Sequence, residues 1–435
     1  MKKNVTIIGG GLSGCEAAWQ LLKRGFNVQL LEQRPLFSTG VHKTGNLAEL
    51  VCSNSFRSDD PLRNAIGLLH EEMRLCDSLI MKSADLYKVP AGGALAVDRE
   101  KFSHYITQTL FSHPNFTFKC EQASFPKTNE TTIIATGPLS SENITFELSK
   151  YTGEKLLHFF DALAPIVYTE SINMTKAWYQ SRYDKGDGTD YLNCPLTKDE
   201  YTLFYNTLTE AQTVSFKEYE NKKMAYFEGC LPIEVMASRG FKTLLFGPMK
   251  PTGLINPFEN FRRPFAVLQL RKENTQGTLM NLVGFQTKLT YPEQKRVFKL
   301  IPALQHAEFA RLGAIHRNTF VCGPNVLTSK LSLKNKNNIK LAGQITGCEG
   351  YLESTAIGFL SAIFIAHPDI PLPPKETALG ALLGHVTESK SPNFQPMNVN
   401  FGLFPELEEE YPNKKEALVN RARQHLIKWR EYIKI

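Results

Sequence analysis

The segment NVTIIGGGLSGCEAAWQLLKRGFNVQLLEQRP, residues 4–35, restricts the fold more than any other part of the chain. Val5, Ile7 and Ile8 form a β-rich run, and Gly9, Gly11 and Gly14 follow in G-x-G-x-x-G spacing. EAAWQLLKRG then has helical periodicity up to Gly25, and NVQLLE closes a second strand on Glu32. Such glycines make a tight turn and let the backbone approach a pyrophosphate, while the helix start offers unpaired N–H groups and the positive end of its dipole. Glu32 stands where a carboxylate can accept hydrogen bonds from an adenosine ribose. Strand, turn, helix, strand and acid in register predict a dinucleotide-binding βαβ unit. The motif alone does not separate FAD from NAD.

Two later stretches separate them. TTIIATGPLSS (131–141) reads as a strand opening into a turn at Gly137, and NNIKLAGQITGCEGYLESTAIGFLSAIFIAH (337–367) as a strand, a glycine-rich loop and a long helix. A chain that returns in this way can face a helix N-terminus towards an isoalloxazine and stabilise negative charge on the reduced ring. Gly343, Gly347 and Gly350 supply the close approach. FAD is therefore the expected cofactor. The expected fold is α/β, a Rossmann-like FAD-binding domain split in sequence by a smaller α+β insertion. Its parts are 1–160 (first FAD-binding part), 161–315 (insertion) and 316–435 (second FAD-binding part with a C-terminal basic helix).

In the insertion, YLNCPLTKDEYTLFYNTL reads as a loop into an amphipathic helix. TLLFGPMKPTGL, PFAVLQLRKEN and GTLMNLVGFQTKLT read as strands of an antiparallel sheet. Basic residues gather here, at Arg182, Lys185, Arg239, Lys242, Arg262 and Arg263. In the terminal stretch, Leu418, Ala422, Leu426, Trp429 and Ile433 recur at helical spacing. Its basic outer face suits either phosphate contact or plain solvation over a docked helix.

Composition excludes several classes. The 435 residues are 42% hydrophobic and 21% charged, ordinary for a globular chain. A net charge of +7 is compatible with a nucleic-acid partner without specifying one. The eight cysteines include no C-x-x-C pair, so neither a metal site nor a disulfide framework is expected. The apolar run IGFLSAIFIAH is too short to span a bilayer, and a cytoplasmic protein with no membrane partner is expected.

The motifs AELVCSNS, VPAGGALAVDR, ATGPL, SRYDKG, FEGCLPIEVMA, LLFGPMKP, GFQT, HRNTF, AGQITGCEGYLES and NFQPMNVNFGL occur in that order. Together they closely resemble the folate- and FAD-dependent tRNA (uracil-5-)-methyltransferases, over nearly the whole chain. The resemblance implies methylation at C5 of an RNA uridine, with methylenetetrahydrofolate as one-carbon donor, reduced FAD as reductant and NAD(P)H as external electron source. The T-loop uridine of tRNA is the target it implies; a ribosomal RNA uridine would need the same machinery. It also marks Cys52 and Cys230 as functional. Uracil C5 is a poor nucleophile until a thiolate adds at C6. Cys230 is the expected C6 nucleophile, and Cys52 is expected beside the flavin, assisting transfer or proton removal.

The resemblance further gives Tyr351 a place stacked on the folate pterin, where residue type alone favours a structural tyrosine. His316 and Arg317 are candidates for contact with RNA or folate carboxylates, a structural role being the other reading. Arg57, close to Cys52, reads as a solvated surface residue. Cys15 reads as helix packing, and Cys348 has no assigned role. Three other classes compete with this reading. The wobble-uridine enzymes that use FAD and folate share a loop like AGQITGCEGY but carry an additional C-terminal helical domain. A flavin disulfide reductase needs paired cysteines, which Cys52 lacks. A non-catalytic RNA-binding protein gives no reason for both thiols and three glycine loops.

Overall fold

The computed structural model describes residues 3–37, 41–126, 130–154, 156–184, 188–214, 231–258, 263–390 and 394–433. Its first sheet grows outward from the strand Asn4–Ile8. That strand pairs in parallel with Asn27–Glu32 on one side and Thr132–Ile134 on the other. Phe116–Cys120 extends the sheet beyond Asn27–Glu32, and Lys336–Leu341 lies parallel beside Thr132–Ile134. Ser332–Leu333 closes that edge antiparallel. Strands buried on both faces read as continuous apolar runs. Here Ile7, Leu30, Ile133, Ile339 and Leu341 are all fully buried.

Two helices cover this sheet at its nucleotide end. Leu12–Lys23 follows the first glycine turn, and Tyr351–Ala366 follows the late glycine loop. They cross closely: a Cβ on Gly358 would lie 2.2 Å from the Ser13 carbonyl oxygen. The second helix is apolar all round, as suits a helix buried on every side. Residues Leu352 to Phe364 are buried without interruption.

A second sheet of six antiparallel strands runs in the order Trp178–Tyr179, Tyr191–Leu196, Ala266–Lys272, Leu279–Leu282, Ile166–Tyr168 and Phe309–Arg311. It carries its own core, including Leu192, Phe204, Leu268 and Phe298. The helix Lys198–Glu210 packs on it and starts with a reciprocal capping box between Thr197 and Glu200. The link between the two bodies is a ribbon in which Leu157–Ala162 pairs antiparallel with Ile315–Phe320. The boundaries expected at 160/161 and 315/316 fall on this ribbon.

The strand expected within TLLFGPMKPTGL is not one: Thr243–Phe246 is a single helical turn. It sits between turns at Gly240 and Gly247 and buries Leu244 while leaving Phe246 80% exposed. Four residues between two turns are too few for an alternating strand pattern to decide the structure. The C-terminal helix Lys414–Ile433 buries Leu418, Ala422, Leu426, Trp429 and Ile433. Much of its basic side is spent internally. Arg423 pairs with Glu71, and Arg421 donates to the carbonyls of Pro405 and Glu406. Among the described residues, no helix is long and apolar enough to cross a membrane.

Candidate functional site

The dinucleotide turn is packed without slack. A Cβ on Gly14 would lie 1.9 Å from the Gly9 carbonyl oxygen, so the helix can seat on the turn only as glycine. Gly9 in turn abuts Ala135 of the ATG turn, where an added Cβ would be 2.4 Å from the Ala135 carbonyl oxygen. A cavity beside them is lined by Gly9, Glu32, Thr136, Ser140 and Ser141, among others. A cradle that side chains would fill, with small hydroxyl residues around it, fits the nucleotide part of FAD.

Glu32 is more occupied than its position in sequence suggests. Its Oε2 accepts from Gly10 N (2.8 Å) and Arg34 Nη2 (3.2 Å), and its Oε1 from Arg34 N (3.0 Å) and Nε (3.1 Å). Burial works to raise its pKa, but the Arg34 charge and these donors outweigh it and hold the carboxyl below its ordinary range. Glu32 therefore fixes the turn through Gly10 as well as facing the cavity. Arg34, also buried, was not anticipated from the sequence.

A second cavity of about 280 Å³ lies where the two bodies meet. Cys52 stands on its wall with Pro138, Gln286, Asn318, Gln344 and Tyr351. Those residues come from five separate sequence motifs, ELVCSNS, ATGPL, GFQT, HRNTF and AGQITGCEGYLES, and Asn398, also in the wall, adds a sixth, QPMNVN. The start of the helix Tyr351–Ala366 opens on this cavity, with Gly350, Tyr351, Leu352 and Glu353 all in its wall. Gly350 has φ +111°, a backbone that favours glycine. An apolar slot ending at a helix N-terminus suits an isoalloxazine ring.

Four charged residues far from Cys52 in sequence hold its loop. Arg99 donates to the carbonyls of Leu50 (2.5 Å) and Cys52 (3.0 Å) and pairs with Glu273 at 2.5 Å. Arg311 donates to the carbonyls of Val51 (3.1 Å) and Cys52 (3.0 Å). Arg271 reaches Ser53 Oγ (3.0 Å) and Asn54 Oδ1 (2.8 Å). From the other side, the Tyr351 hydroxyl oxygen accepts the backbone N–H of Cys52 (2.8 Å) and of Ser53 (3.1 Å). The Tyr351 ring packs on Phe56 with centroids 5.6 Å apart and lines the cavity. Burial, and then the field of Cys52, push its phenol well above the ordinary tyrosine range.

The cavity wall also carries acids. Glu349 takes a hydrogen bond from Gln344 Nε2 at 2.5 Å, and Asp161 takes one from Asn318 Nδ2 at 2.8 Å. Burial first, and then the Asp161 charge, raise the Glu349 carboxyl well above the usual range. Glu353, fully buried, pairs with Arg57 and accepts the Val399 N–H at 3.0 Å. Arg57 is therefore not the solvated surface residue expected from sequence, and its partner is Glu353 rather than the Cys52 loop. Its backbone has φ +69°, and the residue lines the cavity.

The structure brings Cys52, Tyr351, Gly350 and the Gly137 turn to one place, with Gly9 and Glu32 at the neighbouring nucleotide cavity. Gly343 abuts the first helix at Ser13, and Gly347 abuts Phe394. Gly11 marks the start of the first helix and lines neither cavity. Cys15 is fully buried and donates to the Gly10 carbonyl at 3.3 Å, and burial raises its thiol far above the usual range. Cys348 is likewise buried. Cys230 lies outside the described residues, as do Lys185 and Arg262. Ile233, three residues after Cys230, donates its N–H to the carbonyl of Gln286 (2.7 Å), a cavity residue. The side chains of His316 and Arg317 are outside the description; their backbones register against Asp161 and Phe160. Of the other basic residues, Arg182 is turned inward to Gln269 and Thr252. Lys242 and Arg263 are exposed and line an open cleft with Phe246.

Comparison with known proteins places this geometry. The profile of the family described as glucose inhibited division protein A matches residues 4–368. The chain is 54% identical to the methylenetetrahydrofolate–tRNA-(uracil-5-)-methyltransferase TrmFO of Zymomonas mobilis subsp. mobilis, over 98% of this chain and 96% of that one. It is also 54% identical to the same-named protein of Paramagnetospirillum magneticum, over 99% of each. Among solved structures, GidA of Aquifex aeolicus (form II crystal) superposes with a TM-score of 0.68 at 14% identity, covering all of this chain and 76% of that one. At that identity the likeness is one of fold.

Proposed function

The chain belongs to the glucose inhibited division protein A family and, within it, to the methylenetetrahydrofolate–tRNA-(uracil-5-)-methyltransferases, and on that premise we propose that it methylates C5 of a tRNA uridine in the cavity that holds Cys52. The observation that carries the proposal is the convergence of both bodies on one apolar slot, with a thiol on its wall and a helix N-terminus at its end. Methylenetetrahydrofolate is the one-carbon donor. When bound, FAD supplies the hydride that takes the transferred carbon to the methyl level, with NAD(P)H as the source of electrons. The nucleotide cavity at Gly9 and Glu32 and the start of the helix Tyr351–Ala366 would hold it.

The chain's own residues do the rest. A thiolate adds to uracil C6, and the electron pair moved to C5 attacks the methylene carbon. Loss of the C5 proton to a base drives cleavage of the bond between the methylene carbon and its donor nitrogen; once that carbon is reduced to methyl, expulsion of the thiolate restores the ring. Cys230 is the thiol proposed to add at C6; its support is its motif and the tie of Ile233 to the cavity residue Gln286. Cys52, on the cavity wall, is proposed to assist transfer or take the C5 proton. Tyr351 offers its ring to the slot while its hydroxyl fixes the Cys52 loop.

The test incubates the flavin-loaded protein with methylenetetrahydrofolate and NAD(P)H, supplying unmodified tRNA and unmodified ribosomal RNA in parallel. Digested nucleosides are examined for 5-methyluridine by mass spectrometry. Product in tRNA is expected. Product only in ribosomal RNA keeps the chemistry and moves the target, and no product from either refutes the reading.

A further inference from the structure

We propose that Arg99 and Arg311 are positioning residues that tune Cys52: both guanidinium groups converge on its carbonyl oxygen and favour its thiolate, and the insertion supplies half of that field. The inference rests on the proposed methyltransfer site and goes beyond the assignment of its thiols. Three guanidinium groups, those of Arg99, Arg271 and Arg311, hold residues 50–54. Among the described residues, the carboxylate paired with them there is Glu273, through Arg99. The loop thus sits in an excess of positive charge that its own carbonyls do not neutralise.

Two like charges on one carbonyl repel. Arg311 shows the cost: burial first, and then the charge of Arg99, lower its pKa. Ordinary loop anchoring needs only one donor per carbonyl lone pair and no net charge, so a neutral amide would serve as well. Burial raises the Tyr351 phenol, and burial and the neighbouring Asp161 charge raise the Glu349 carboxyl, so both are pushed towards their neutral forms. The charges of Arg99 and Arg311 both act on Cys52, and a close opposite charge lowers the pKa of an acid by about one unit or more. A thiol so assisted is more nucleophilic and a better proton acceptor near neutral pH.

The experiment alkylates the flavin-loaded full chain with iodoacetamide across a pH series and reads each cysteine separately by peptide mass spectrometry. Cys322, which lines neither cavity, serves as the internal reference. Arg311→Met is expected to raise the Cys52 midpoint by about one pH unit, in line with loss of a close cation. Arg311→Lys, which keeps the charge, should return most of that shift, with Cys322 unmoved in both. An unchanged Cys52 midpoint in Arg311→Met would overturn the proposal. So would an equal shift in Arg311→Lys, because geometry rather than charge would then be at work. Should Arg311→Met not give a folded flavoprotein, Arg99→Gln carries the same expectation from the other side of the carbonyl. Alkylation is read without turnover, so the shift stands or falls apart from the reaction. Full methylation by Cys52→Ala would remove the catalytic role of Cys52 and leave the tuning intact.

Discussion

Replacing Tyr351 by Phe removes one oxygen and leaves two donors without their acceptor. The hydroxyl accepts from Cys52 N at 2.8 Å and from Ser53 N at 3.1 Å. An intramolecular hydrogen bond contributes about 1 kcal/mol net, and a donor left unmade in a buried place costs more than that. The cavity beside Tyr351 lets water reach part of the gap, so the lower value applies to each bond, about 2 kcal/mol for the pair. At about 1.4 kcal/mol per factor of ten, local opening of the loop should become roughly 30-fold more frequent. The ring keeps its contact with Phe56, and the helix behind it keeps its packing. The loss should therefore be local. Hydrogen–deuterium exchange of the peptide spanning residues 50–56, in flavin-loaded protein, measures it directly. Exchange there should rise by about that factor while peptides of the first sheet hold their wild-type rates. Methylation should fall at unchanged flavin content. Exchange within twofold of wild type would refute the claim that Tyr351 locks the thiol loop. A rise spread evenly over the whole chain would show that the residue supports the fold at large instead.

Gly14→Ala should abolish bound-flavin absorbance, because its Cβ would fall 1.9 Å from the Gly9 carbonyl oxygen; a yellow, stable variant would contradict the packing. Trp429→Ala should destabilise the chain by about 3–5 kcal/mol, read by thermal melting, since the indole is buried and donates to the Pro371 carbonyl at 2.8 Å. Burial, with help from the Glu71 charge, pushes the Glu72 carboxyl up to about 8 against the pull of the Ala378 and Leu379 N–H groups. The folded state then keeps a proton that the unfolded chain releases. This contribution to stability is whole below the unfolded value and is lost as pH rises through about 8. Wild-type melting should therefore fall between pH 6 and pH 9 by more than that of Glu72→Gln, and parallel curves would sink the assignment.

The nucleotide half of the site could be read in sequence because its parts are local. Strand, glycine turn, helix and acid lie within residues 4–35, and each constrains the next through the backbone alone. The C-terminal helix was legible for the same reason, its five apolar positions repeating at helical spacing. The supports of Cys52 were not. Arg99, Arg271, Glu273 and Arg311 reach the loop only through the meeting of two separately cored bodies, and no periodicity records that meeting. Sequence proximity pointed instead to Arg57, five residues on, whose side chain pairs with Glu353. Glu32 was legible in place but not in partner: Arg34, two residues away, takes the carboxylate that the motif offers to a ribose.

The position of the insertion in the chain accounts for how the thiol loop is held. The chain leaves the first body along Leu157–Ala162 and returns along Ile315–Phe320, and those two strands pair with each other. A body tethered twice through one ribbon has far fewer placements open to it than one appended at a terminus. The ribbon and its flanks put Asp161, Leu163 and Asn318 into the wall of the cavity. The insertion's own sheet then delivers Arg271 and Glu273 from the end of one strand and Arg311 from its edge strand. Any displacement of the insertion must either carry residues 50–54 with it or break the hydrogen bonds to Val51, Cys52, Ser53 and Asn54. Seating the insertion and aiming Cys52 are for that reason a single event in this fold. That explains why a half-exposed polar loop can hold a thiol steady with neither a strand nor a helix of its own beneath it.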